Sequence, residues 1–209
     1  MTDSDLLFEN IAADVRSAIL TGEYPMGYEL RQETLASKYG VSRMPIRQVL
    51  LTLADEELIT LRKNRSAIVN EISNRDIEDH FGIRGLLEGE AAALATKRGA
   101  DFSQLRIYAQ QCVDAIAGAD KEAFEKSNYA FHQEIWRLAD NKRLQRMIMM
   151  SWNTVSYVKK ETPRKRMSVS AAEHMQILLA MEARKADQAR ERMYSHIVAH
   201  NLSNFEIEY

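Results

Sequence analysis

The stretch GVSRMPIRQVL, residues 40–50, constrains this chain more than any other part of it. It holds a glycine turn, a serine suited to capping, and a proline. Proline has no backbone N–H to donate, so inside a helical pattern it is tolerated only in the first turn, where that N–H has no partner anyway. Pro45 therefore sets the start of a helix near Ser42 as cap, running through about Ala54 with Ile46, Val49, Leu50 and Leu53 on its buried face. Ahead of it, Leu35, Ala36 and Tyr39 mark a short helix ended by Gly40. A longer amphipathic helix from about Leu6 to Leu20 repeats Leu6, Leu7, Ile11, Val15, Ala18 and Ile19 at three- and four-residue steps, and Gly22 and Pro25 stop it. Two short helices about a glycine turn, after a longer one, are the layout of a helix-turn-helix. Leu58–Lys63 and Ala67–Val69, around a polar tip of Asn64, Arg65 and Ser66, predict a hairpin and hence a wing.

Charge is uneven along the chain. The whole carries 28 Lys and Arg against 30 Asp and Glu, a net charge of -2, which excludes a uniformly basic nucleic-acid coat protein. Residues 31–70, however, hold 7 basic side chains (Arg31, Lys38, Arg43, Arg47, Arg62, Lys63, Arg65) against 4 acidic ones (Glu33, Asp55, Glu56, Glu57). Arg43 and Arg47 are one helical turn apart and oppose the Ile46/Val49/Leu50 stripe. An exposed arginine pair there is either a solvated helix face or a reader of guanine edges and phosphates. Arg65, at the wing tip, is an ordinary turn residue or a minor-groove or backbone contact.

The stretch ELRQETLASKYGVSRMPIRQVLLTLADEELITLRKNRSAIV resembles the winged helix-turn-helix of the GntR family of bacterial transcriptional regulators. That resemblance implies that Arg43 and Arg47 enter the major groove, that Ser42 and Gln48 neighbour phosphates or base edges, and that Arg65 with Ser66 occupies the wing tip. Two departures stand out. Ser66 replaces a glycine common in the family, and Gln32 and Glu33 stand where some relatives place a basic contact.

From Asp76 on, every segment reads helical, at about 76–98, 101–118, 120–139, 141–160, 168–184 and 186–201. Asp101, Asp120, Asn141 and Ser168 stand as caps. Six helices predict an all-helical bundle with one core, so the chain is expected to be mostly α, with residues 1–72 a winged helix-turn-helix and 73–209 the bundle. The basic run KKETPRKR, residues 159–166, reads as a solvated loop. Cys112 stands alone, so neither an intramolecular disulfide nor a Cys-based zinc site can form. The acidic start is no secretory signal, and no charge-free apolar run is long enough to span a membrane; a cytoplasmic protein is expected.

Histidines stand at 80, 132, 174, 196 and 200. His132, His174 and His196 fall on three proposed helices, and Asn128 lies one turn before His132. Three imidazoles meeting at one point would suit a divalent zinc, manganese or nickel ion; the bland alternative is ordinary core or surface histidines. The pieces IRGLLEGEAAALA, NYAFHQEIWRLADNKRL and EHMQILLAMEARKADQAR resemble the FCD ligand-binding domain of the FadR-type branch of the same family. That branch holds its metal with an aspartate and three histidines. His132, His174 and His196 match; Asn128 replaces the aspartate with a neutral amide, leaving weak metal binding, a three-histidine site completed by water or effector, or no metal. Arg84, in the matching RGLLE pattern, either clamps an effector carboxylate or pairs with Glu88 four residues on. These matches imply a homodimer on double-stranded operator DNA, with a small organic acid bound near Arg84, Asn128, His132, His174 and His196. A metal-dependent hydrolase or isomerase with an accessory winged domain is the rival, but HExxH is absent and no acid is evidently placed as a base. A winged domain used only for protein contacts is disfavoured by the basic face.

Overall fold

The structure, a computed structural model, describes residues 3–20, 22–63, 66–71, 73–155 and 164–202. They divide into two compact units, one of the elements up to Ser73 together with residues 153–155, and one of residues 74–152 with those from Arg164 onward. Among the described residues, no helix is long and apolar enough to cross a membrane.

The first unit runs α1 (Asp3–Leu20), β1 (Glu29–Arg31), α2 (Gln32–Tyr39), α3 (Arg43–Asp55), β2 (Ile59–Leu61) and β3 (Ser66–Val69). Gly40 takes the left-handed conformation at φ 64, which a side chain would strain, and so turns the chain from α2 to α3. Ser42 has N-cap backbone geometry, but its side chain makes no capping bond, unlike the expected cap. Pro45 is the third residue of α3, as its chemistry requires. The core joins Ile11, Val15 and Ile19 of α1 to Ile46, Val49, Leu50 and Leu53 of α3, closed by Leu35, Leu58 and Ile59. Arg16, buried beside it, donates from Nε and Nη2 to the two Glu56 carboxylate oxygens at 2.7 and 2.6 Å, fastening α1 to the end of α3.

The expected hairpin is present, but it belongs to a three-stranded antiparallel sheet of order β1-β3-β2. β1 pairs Leu30 with Ala67 on the free edge of β3. Three residues are too few to show an alternating pattern, so β1 is invisible to periodicity. Asn64 and Arg65 lie outside the described residues.

The second unit contains α4 (Asn74–Lys97), α5 (Ser103–Ala117), α6 (Lys121–Leu138), α7 (Lys142–Val155), α8 (Arg164–Glu182) and α9 (Ala186–Leu202). Asp120 caps α6 by accepting from the Ala123 N–H, and the Asn141 side chain accepts from the Leu144 N–H. Asp101 accepts from both the N–H and the hydroxyl of Ser103, two residues later than its expected helix start. Ser168 is not a cap: α8 begins at Arg164, and Ser168 Oγ donates back to the Arg164 carbonyl from inside the helix. Residues 159–163 of the basic run lie outside the described residues, and Arg164–Arg166 open α8 rather than a loop.

α4 and α9 lie against one another along their lengths, and two glycines set how closely. A Cβ on Gly89 would stand 2.9 Å from the Arg190 carbonyl oxygen, and one on Gly85 would stand 2.9 Å from the Tyr194 ring. α5, α6 and α8 share a smaller cluster of Cys112, Ala115, Phe124, Met167 and Ala171. Burial pushes the Cys112 thiol up to about 12, so it packs as a small apolar group and is not reactive.

Candidate functional site

In the first unit, α3 turns its apolar stripe inward and leaves Arg43 and Arg47 exposed on the other side, because four-residue spacing keeps them on one face. They line a groove with Gln32, Arg62 and Lys63, and Ser66 closes its wall. Arg43 donates to Glu33 at 2.9 Å, in a pair whose side chains are 59% and 78% exposed. Ser42 and Gln48 are exposed on the same helix start. Ser66, expected at a wing tip, is buried as the first residue of β3 and pairs with Arg31.

In the second unit, α6, α8 and α9 bring His132, His174 and His196 together, and all three rings are buried. One nitrogen from each lies within 4.8 Å of the others. His132 Nε2 and His196 Nε2 face each other at 3.3 Å. In a tetrahedral site with metal–nitrogen bonds of about 2.0–2.1 Å, ligand nitrogens stand roughly 3.3–3.4 Å apart, so this pair matches two ligands of one ion. Phe131 stacks on the His174 ring at 4.2 Å and holds its plane.

The backs of two rings are fixed by carboxylates. His132 Nδ1 is 2.6 Å from Glu88, and His196 Nδ1 is 2.8 Å from Glu173. A carboxylate on Nδ1 favours the tautomer that presents Nε2 as a free lone pair, the usual outer support of a metal-bound histidine. Both ring nitrogens of His174 are buried without a hydrogen-bond partner, an arrangement that is costly unless something ligates the ring. Burial, then the charges of His196 and His132, hold the His174 pKa well below its ordinary value, so this imidazole is neutral and available as a ligand. The cluster can therefore coordinate a divalent metal. Asn128, one turn before His132, is half-buried.

Glu88 is the hub of this arrangement. It is fully buried and accepts from Arg84 Nε at 2.7 Å and from Trp136 Nε1 at 3.0 Å, besides its bond to His132. Burial alone would raise its pKa, but the charges and hydrogen bonds of His132 and Arg84 more than offset this and hold it at about 2. The Arg84 guanidinium lies 3.9 Å from the Trp152 ring centre. Of the two readings of Arg84, the pair with Glu88 is present in the structure. His80, one turn before Arg84, is held at about 4 by burial and then by the Arg84 charge.

Glu88 as a ring support, Glu173 and Trp152 were not found by sequence reasoning. Glu88 entered only as a partner for Arg84, and Glu173 is the residue before a candidate ligand. A carboxylate beside a histidine on a helix is too common a pattern to single out.

The profile of the FCD domain matches residues 79–199, more than half of the chain. The profile of bacterial regulatory proteins, gntR family, matches residues 7–69. The chain is similar to a probable D-xylose utilization operon transcriptional repressor of Paenarthrobacter nicotinovorans, with 24% identity over 95% of this chain and 91% of the relative. It is also similar to the HTH-type transcriptional repressor RspR of Escherichia coli K12, with 27% identity over 82% of this chain and 77% of that one. Among solved structures, E. coli McbR/YncC shares the fold at a TM-score of 0.72 and 22% identity, covering 97% of each chain. With a gntR-type region before Ser73 and an FCD domain filling most of the remainder, this chain belongs to the GntR family of bacterial transcriptional regulators, in the branch that carries a C-terminal FCD domain.

Proposed function

We propose that this regulator binds a palindromic operator as a homodimer and that a small organic acid, held at the three-histidine cluster, changes its affinity for that operator. The observation that carries the reading is the buried trio of His132, His174 and His196, with its outer nitrogens fixed by Glu88 and Glu173, in a chain whose α3 exposes Arg43 and Arg47.

Residues 1–72 are the reading head. Arg43 and Arg47 enter the major groove, Ser42 and Gln48 contact phosphates or base edges beside them, and Arg65 serves the flanking backbone, while Ser66, buried at the start of β3, supports the wing without touching DNA. One short helix reads few base pairs, so two heads on a two-fold site supply the affinity that a chain of net charge -2 lacks. Residues 73–209 hold the dimer contact and the effector. His132, His174 and His196 would hold zinc, manganese or nickel, with Asn128 as a neutral neighbour in place of a carboxylate. The ion supplies a positive centre on which an effector carboxylate can sit. Arg84, paired with Glu88, holds the carboxylate that orients His132. Acting on DNA places the protein in the cytoplasm. Of the two relatives named above, one is a repressor and the other a probable repressor, which makes release from the operator the expected response.

The test is a titration of a palindromic operator with the full-length protein, with and without a broad panel of organic acids. At least one acid should shift the midpoint; an unchanged midpoint across the panel overturns the effector reading and leaves DNA binding standing.

A further inference from the structure

The residues around the three histidines are unevenly satisfied, and the surplus lies along one helix. Arg166, Ser170 and His174 follow one another on α8 at four-residue steps, so they share a stripe. Each has buried polar atoms without a hydrogen-bond partner: Arg166 Nε and Nη2, Ser170 Oγ, and both ring nitrogens of His174. The metal cluster accounts for His174. It does not account for the other two.

A helical serine commonly satisfies its hydroxyl on the carbonyl four residues back, as Ser168 does with Arg164. Ser170 is fully buried and leaves that bond unmade. Arg166 is the more telling case, because a guanidinium carries its charge at any ordinary pH and needs an acceptor wherever it is shielded from water. The nearest compensation is the charge of Glu173, whose Oε2 is already engaged with His196 Nδ1 at 2.8 Å. Nor is α8 free to rotate the stripe away: Met167 and Ala171, on its neighbouring face, are packed against Cys112, Ala115 and Phe124. A half-buried cation, with Nε and Nη2 lacking a hydrogen-bond partner, and a buried, unbonded hydroxyl sit in line with a metal-binding histidine.

Resting on the effector reading above, we infer that Arg166 and Ser170 form a second anion subsite extending from the histidine cluster along α8, and that the effector is a diacid. One carboxylate sits at the histidine cluster. The other accepts from the Arg166 guanidinium and, through its second oxygen, from the Ser170 hydroxyl. The eight-residue step from Arg166 to His174 is about 12 Å along the axis, a gap that an arginine side chain and a small diacid together span.

The test is calorimetric titration of the full-length protein, in the presence of zinc, with succinate, glutarate and adipate and with butyrate, pentanoate and hexanoate. Each of the latter replaces one carboxylate by a methyl group. At least one diacid should bind about tenfold or more tightly than its monoacid, the usual scale of a charge-assisted pair. Arg166→Gln should remove that advantage and leave monoacid affinity unchanged, and Ser170→Ala should reduce it by less. Arg166→Gln removes a half-buried charge whose Nε and Nη2 have no hydrogen-bond partner, and should melt no lower than the parent. Ser170→Ala carries the test separately if it does. Monoacids binding as tightly as diacids, or Arg166→Gln weakening both series together, would overturn the subsite while leaving an effector site in place. Failure of all six acids to bind overturns the diacid subsite; the effector reading falls only if the operator midpoint is also unchanged across the wider acid panel.

Discussion

Each unit of this protein holds an arginine paired with a glutamate, and the two pairs have opposite consequences. Arg43 and Glu33 meet at 2.9 Å with both side chains mostly in water. Arg84 and Glu88 meet at 2.7 Å with side chains 6% and 0% exposed. The exposed pair is worth at most about 1 kcal/mol, so Arg43 can exchange Glu33 for a base edge or a phosphate at little cost. The buried pair cannot be exchanged. Breaking it from one side strands a charge in the interior, so Arg84 and Glu88 hold a geometry in place. Exposure, more than chemistry, separates an arginine that changes partners from one that fixes them.

The largest effect is expected of Glu88→Ala. It strands the Arg84 charge and removes the acceptor of His132 and Trp136, so stability should fall by about 3–5 kcal/mol in denaturant unfolding. In whatever fraction remains folded, zinc affinity should drop roughly 10- to 100-fold with the loss of the ring support. A loss under about 1 kcal/mol would show that the buried pair behaves like the exposed one. Next in size, Gly89→Ala brings a methyl group to 2.9 Å from the Arg190 backbone carbonyl, which can yield only if α4 and α9 part. About 1–3 kcal/mol of stability should be lost. Gly85→Ala should cost less, since the Tyr194 ring it meets is exposed and can swing aside; equal costs would mean that the ring is as immovable as the backbone.

At the exposed end, Arg43→Ala should weaken specific operator binding by about 1–3 kcal/mol. It should leave unfolding within about 0.5 kcal/mol of the parent, because Glu33 is already solvated. A stability loss as large as the binding loss would erase the distinction between the two pairs.

The features that could be read from residue order are those governed by local rules. Pro45 admits one kind of position in a helix, and Gly40 at φ 64 is the turn that GVSRMPIRQVL announces. The four-residue spacing of Arg43 and Arg47 put them on one face before any packing was known. The six helices of the second unit followed from their periodicity and stop signals. Where the reading slipped, a local signal was weak or had more than one use. Ser168 has capping chemistry but turned it on its own helix, and β1 is shorter than any pattern.

The histidine site divides along the same line. That His132, His174 and His196 lie on three different helices is a property of the chain, and their meeting nitrogen to nitrogen at 3.3 Å is a property of how α6, α8 and α9 are packed. Glu88 could be placed one turn after Arg84 by spacing. Its bond to a histidine 44 residues away required the faces of α4 and α6 to meet. Helix periodicity says which side chains share a face, but which faces come together is set by burial and close approach across the whole unit. For that reason the supports of the site, Glu88 and Glu173, and the unpaired Arg166 and Ser170 emerged only from the tertiary structure.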